Sequence, residues 1–233
     1  QRGHSHSKPD LCIIHFLRPP YKGTAKALPS DVNQLAGYFN VKIGGAAANS
    51  SMQFTVTCTD YSKVRAGTFG SYPVTIQYGT LSVSATLEVG LNINGTNFPD
   101  TGFQTYLKNN HDKGSDKTGF LTAAEINAVK EIRVTVGTTY KNFTGIKNFI
   151  NLENFTCMEG SLTNLDVSGM TSLKTLKCYG NQLTSLNVSG CTSLTELQCE
   201  RNQLESLNTS TNISLTVLNC YNNNLKNLNI NEK

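Results

Sequence analysis

Catalysis needs an acid, a base or a nucleophile held within reach of a substrate, and this chain offers few candidates. Its four histidines are His4, His6, His15 and His111. His4 and His6 form an H-x-H pair of a kind that can hold a metal, but the stretch around them has no apolar pattern to fix it in place. A nucleophile made of Cys58 and His15 meets a different objection. Cys58 continues the alternation of Met52, Phe54 and Val56, which turns it toward a core. No nucleophile elbow, phosphate loop, zinc-protease helix or dinucleotide-binding fingerprint occurs. Neither an enzyme nor a cofactor is expected. A formal net charge of +4 without a dense Lys/Arg run is too diffuse for nucleic acid, whose binding rests on clustered phosphate contacts. No window of about 18 apolar residues spans a membrane.

The seven cysteines follow a stronger rule than chemistry. Cys157, Cys178, Cys199 and Cys220 recur every 21 residues, and so do Leu152, Leu173, Leu194 and Leu215. In the same register stand Phe155, Leu176, Leu197 and Leu218; Leu162, Leu183, Leu204 and Leu225; Leu165, Leu186, Leu207 and Leu228; and Val167, Val188, Thr209 and Ile230. A further column reads Gly160, Asn181, Asn202, Asn223. The template L-x-x-L-x-C-x-x-N-x-L is that of a leucine-rich repeat. Each coil buries its apolar edge only by stacking on the next, so the columns become continuous ladders. The four periodic cysteines serve as small hydrophobes, because zinc sites use closely spaced Cys pairs rather than a 21-residue period. Cys191 is assigned to a convex turn without repeat equivalents. Cys12 and Cys58 are left either paired or free.

The Asn column is expected to bond backbone groups where each strand ends. Asp166–Gly169 and Asn187–Gly190 read as extended chain followed by a tight turn. Upstream, Val129, Ile132, Val134, Phe143 and Ile146 mark a degenerate first coil that caps the ladder, giving repeats over residues 131–233. Residues 97–130 form a helix-loop-helix cap. Phe103, Tyr106 and Leu107 follow Pro99 at helical spacing, and Thr122 with Glu125 forms a capping box. The intervening loop resembles an EF-hand calcium loop when Gly119 is taken as its sharp-turn glycine. Asp116, Thr118 and Glu125 then fall at ligand positions, with Asp112 able to reach in, but Gly114 stands where the first carboxylate belongs. A metal-free cap is expected. Within residues 21–90, period-two runs at Met52–Cys58, Tyr72–Tyr78 and Leu81–Val89, with hairpin spacing at Gly79-Thr80 and an earlier strand at Gly37–Ile43, argue for a β-sandwich. Residues 1–20 form an N-terminal segment, in part without pattern. The fold class is therefore mixed and β-rich.

The Asn97-Phe98-Pro99-Asp100 start, the Leu121-Thr122-x-x-Glu125-Ile126 helix and segments such as Leu194-Thr195-Glu196-Leu197-Gln198-Cys199 together resemble the leucine-rich repeat surface proteins of Bacteroidetes and some Firmicutes. Residues 21–90 are similar to the bacterial immunoglobulin-like modules that accompany such repeats. The resemblance implies a bacterial protein exported to the cell surface or beyond, with a role in adhesion or partner binding; no export signal is present in this chain.

Outward positions of the strands supply the candidate recognition face, because nothing in the core requires them. Tyr179, Tyr221, Lys177, Glu196 and Glu200 are the first residues assigned to it, with Gln198 and Asn219 offering hydrogen bonds. These residues either contact an extracellular protein or glycan or merely solvate the sheet. The final coil ends at Ile230 without a polar cap, so the strand at Val217–Tyr221 is also a candidate edge for homodimerisation.

Overall fold

The computed structural model describes residues 14–16, 39–43, 46–47, 55–65, 70–78, 81–113, 119–135 and 140–231. The chain divides into two compact units, residues 1–90 and 91–233.

In the first unit, strands β1 (Ile14–Phe16), β2 (Phe39–Ile43) and β3 (Ala46–Ala47) form one antiparallel sheet. A second antiparallel sheet contains β4 (Thr55–Thr57), β5 (Gly70–Tyr78) and β6 (Leu81–Val89), with the short helix α1 (Tyr61–Arg65) between β4 and β5. The period-two reading holds where it can be followed: Val56, Cys58, Tyr72, Val74 and Ile76 are buried while Thr55, Thr57, Ser71 and Gln77 are exposed. Strands β5 and β6 pair from Gly70 opposite Val89 to Tyr78 opposite Leu81, so the hairpin spacing is correct. Met52, Phe54 and the turn at Gly79-Thr80 lie outside the described residues. The described strands amount to two antiparallel sheets, and the immunoglobulin-like arrangement is not supported by them.

The second unit begins with β7 (Leu91–Asn92), α2 (Thr101–Asn110), β8 (Phe120–Leu121) and α3 (Ala123–Ala128). Asp100 caps α2, one carboxylate oxygen accepting from Phe103 N (2.8 Å) and the other from Lys141 N (2.8 Å). That second bond ties the helix start to the chain leading into the repeats. The box at Thr122 and Glu125 is formed, with Glu125 N donating to the Thr122 hydroxyl (3.2 Å) and Thr122 N to the Glu125 carboxylate (2.8 Å). Phe103 and Leu107 of α2 are fully buried, and Phe103 lies edge-on to Phe98 and Phe143.

From residue 131 the chain winds into a parallel-strand solenoid of about four turns. Strands β9 (Glu131–Thr135), β10 (Asn154–Met158), β12 (Thr175–Lys177), β14 (Glu196–Gln198) and β16 (Val217–Asn219) form one five-stranded parallel sheet in chain order. From β10 onward successive strands pair one period apart, Phe155 with Leu176, Leu176 with Leu197 and Leu197 with Leu218, while Ile132 of β9 pairs with Phe155 across 23 residues. Of the segments expected to be extended chain before a tight turn, Asp166 and Asn187 end short strands and the residues after them form the turns. β11 (Asn164–Asp166) pairs with β13 (Ser185–Asn187), and β15 (Ser206–Asn208) with β17 (Asn227–Asn229). The turns after them close on Gly169 and Gly190, both at positive φ, while Asp166 and Asn187 accept the backbone N–H of Ser168 and Ser189.

The coils are joined by the asparagine column as much as by the strands. Asn202 Nδ2 donates to the carbonyls of Cys178 (3.0 Å) and Cys199 (3.0 Å), and its Oδ1 accepts from Leu183 N (3.0 Å). Asn181 and Asn223 repeat the pattern one coil earlier and one coil later. Where the column opens, Gly160 stands in place of Asn, and a Cβ there would lie 2.8 Å from Asn181 Oδ1. Positive φ recurs beside the column at Glu159, Gly180, Arg201 and Asn222, a sharp turn built into every coil.

One assignment is corrected. Cys191 does have repeat equivalents: Phe149, Met170, Cys191 and Asn212 form a further column and are all buried. The Cys191 thiol donates to the Val167 carbonyl (3.1 Å), and Asn212 Nδ2 donates to the equivalent Val188 carbonyl (2.8 Å). Because the residue type and size change from step to step while the buried position is kept, the column is hidden from a search for identical residues. Asn202→Ala leaves the buried Leu183 N–H without a partner and removes one of the two amide donors at the Cys178 and Cys199 carbonyls, which keep Asn181 and Asn223; it is expected to cost about 2 kcal/mol, whereas exposed Asn224→Ala should fall within about 0.5 kcal/mol. Urea denaturation of the two variants measures the difference.

Candidate functional site

The parallel sheet presents its outward residues in three columns, one strand spacing apart. The first contains Glu131, Asn154, Thr175, Glu196 and Val217; the second Arg133, Thr156, Lys177, Gln198 and Asn219. The third, at the end of β10 and just past the ends of β12, β14 and β16, runs Met158, Tyr179, Glu200 and Tyr221. All seven residues assigned from the sequence thus belong to one face. Glu131 and Arg133 extend it on β9 and were missed, although they alternate with the buried Ile132 and Val134. Their coil lacks the consensus residues that made the others easy to align.

Electrostatically the face has a satisfied half and an unsatisfied one. Lys177 Nζ lies 3.3 Å from Glu196 Oε1, and Gln198 Nε2 donates to the same oxygen. Glu196 therefore has both a cation and an amide. Glu200 has neither: it is only 8% exposed, and its Oε2 has no hydrogen-bond partner. Tyr179 is half-buried and Tyr221 is 60% exposed. Thr156 is buried and Asn219 half-buried. A shallow depression elsewhere, at Ser206–Asn208 and Lys226–Asn229, borders the second strand ladder and holds none of the assigned residues.

Behind the face, the periodic cysteines are ordered thiols. Burial pushes the Cys178 thiol well up, with the neighbouring Cys157, Cys199 and Glu200 adding to the effect. Burial raises Cys199 to about 12 and Cys191 to about 11, and Cys157 rises for the same reason. Cys220, on the last coil, is less enclosed; burial and then Glu200 raise it. Cys58 is buried and free, and Cys12 lies outside the described residues. Among the described residues no group of three or more His, Cys, Asp and Glu could hold a metal ion.

Two of the carboxylates considered for calcium have other partners. Asp112 is 3% exposed and accepts from Gly119 N (2.8 Å). Glu125 Oε1 accepts from Lys113 N (2.8 Å), while Oε2 serves the capping box through the N–H and hydroxyl of Thr122. Gly119 has φ +75°, the sharp turn assigned to it. Asp116 and Thr118 lie outside the described residues. Next to Asp112, the His111 ring packs on Tyr106 and Phe149, and its Nε2 has no partner. Burial holds its pKa below the ordinary histidine value, with Lys113 adding to the effect.

No protein-family model matches this chain, and no curated protein matches it. Among the described residues no helix is long and apolar enough to cross a membrane.

Two outcomes follow from these environments. Iodoacetamide on the native protein is expected to modify Cys220 before Cys157, Cys178, Cys191 and Cys199, which should react only on unfolding, as peptide mapping would read. His111 is neutral in the fold, whereas the unfolded chain takes up its proton near about pH 6.5. Stability is then complete above that pH and falls as pH drops through it toward the lower folded value. His111→Gln should flatten this acid limb in Tm measured from about pH 7.5 to 5.

Proposed function

We propose that this chain is a non-enzymatic recognition module of the leucine-rich repeat type, carried outside the cell or on a bacterial surface, that binds a protein partner through its five-stranded parallel sheet. The observation that carries the reading is the outward face itself. Five strands in uninterrupted register place Tyr179, Tyr221, Lys177, Glu196, Gln198, Glu200 and Asn219 side by side, while the ladders of Leu and Cys behind them do the folding. Tyr offers a large contact area for the loss of two side-chain torsions, which suits a recognition surface. In this reading residues 21–90 are an immunoglobulin-like module that accompanies the repeats.

A second reading draws on the same residues. Aromatic Tyr179 and Tyr221 beside the amides of Gln198 and Asn219 would also serve a glycan, with rings for stacking and amides for hydroxyls. A third, self-association, draws on the final coil, where Val217, Tyr221, Leu228 and Ile230 are 44–60% exposed.

The test is binding of the wild type and a Tyr179→Ala/Tyr221→Ala variant to immobilised matrix proteins, mucins and free glycans. The variant is expected to keep the wild-type circular dichroism spectrum and to lose at least about tenfold in affinity for a bound protein, since aromatic anchors dominate such interfaces. Binding that survives both substitutions excludes this face. Competition by free glycan favours the second reading, and a mass in light scattering that doubles with concentration favours the third.

A further inference from the structure

Of the charged groups on the recognition face, Glu200 is the one the fold leaves without compensation. A buried carboxylate is costly unless it is paired or hydrogen-bonded. Glu196, two outward positions earlier on the same coil, meets this requirement through Lys177 and Gln198. Glu200 is more deeply buried than Glu196, yet its Oε2 has no partner. The following residue, Arg201, is exposed and stands in the left-handed turn at φ +56°.

The two residues equivalent to Glu200 on the adjoining coils are Tyr179 and Tyr221. Neighbouring strands lie about 4.8 Å apart, so the two tyrosines start about 10 Å from one another with the carboxylate between them. A planar cation in van der Waals contact with a ring on each side needs about 7–8 Å, which a modest lean of the rings supplies. Tyr221, at 60% exposed, has the freedom to lean. Guanidinium fits this arrangement better than ammonium: its plane stacks on aromatic faces while its edge donates to a carboxylate as a fork.

We propose that Tyr179, Glu200 and Tyr221 form the subsite for an arginine side chain of the protein partner, the guanidinium stacking between the rings and donating to the Glu200 carboxylate. This rests on the recognition reading above and specifies the chemistry of the partner. The formal net charge of +4 repels cationic peptides in general, so selective capture of arginine at this point requires a local acid.

The probes are a fluorescent deca-arginine peptide and its deca-citrulline counterpart, which keeps the shape and loses the charge, measured by anisotropy in about 0.15 M salt. The wild type is expected to bind deca-arginine at least tenfold more tightly than deca-citrulline, and Glu200→Gln to lose about tenfold or more of that affinity. Glu205→Gln, which alters an exposed acid paired with Lys226, should change it little. Glu200→Gln should also keep or raise Tm, because it removes an unpaired buried charge. Equal binding by wild type and Glu200→Gln, or a fall in Tm that marks Glu200 as structural, overturns the proposal. Deca-lysine binding as well as deca-arginine would overturn the guanidinium assignment. If a partner from the panel depends on both tyrosines but not on Glu200, the arginine subsite fails alone. If the panel partner ignores both tyrosines while deca-arginine still needs Glu200, the wider recognition reading fails instead.

Discussion

The solenoid depends on bonds that reach from one coil to the next at a fixed interval of 21 residues. A short strand of three residues makes too few ladder bonds to hold its own register. The asparagine at the end of each strand removes the ambiguity. One amide donates to a carbonyl in its own coil and another in the coil before, and accepts from a third backbone group. A slip by one residue would strand all three inside the stack, each at a cost of about 1–3 kcal/mol. Register in turn keeps leucine over leucine and cysteine over cysteine, and so keeps the outward residues in straight columns. The alignment of the outward face is a consequence of that constraint.

The opening of the solenoid is handled by different means. An exposed ladder end would leave Ile132 and Phe155 in water; instead Phe98, Phe103, Phe143 and Phe149 close over it as part of the same continuous core. Phe103 comes from α2, and that helix and its neighbour α3 are fixed by carboxylates. Asp100, Asp112 and Glu125 each accept backbone N–H groups, so three acids that could suggest metal chemistry serve as chain fasteners. Tyr106 adds a tie to the first strand by accepting from Arg133 N (3.1 Å). At the far end, Val217, Leu228 and Ile230 are about half exposed, and the burial that stabilises the inner coils declines steadily toward them.

Much of this was legible in the sequence because repetition multiplies a weak signal. One Leu-x-x-Leu says little, but the same spacing in four coils fixes period, strand position and inward faces together. The columns that escaped are instructive. Phe149, Met170, Cys191 and Asn212 share a buried position without sharing a residue type; the first two fill it with apolar atoms and the last two place a donor on a carbonyl. Arg133 and Glu131 escaped because their coil departs from the consensus, and a face is seen only after its strands are aligned. The EF-hand-like loop was read correctly at its glycine turn, while the partners of Asp112 and Glu125 depend on backbone groups seven and twelve residues away.

By itself the sequence determined the period, the parallel strands, the inward ladders, the capping helices and the list of residues that the core leaves free. These follow from local spacing, because the positions that face inward in a coil are set by backbone geometry. Only the tertiary structure decided how the free residues differ from one another. Lys177 and Glu196 are on different coils, and their pairing appears only when those coils stack; the same stacking buries Glu200 and gives it no partner. Charge compensation is a property of distances between coils, and composition carries no record of it.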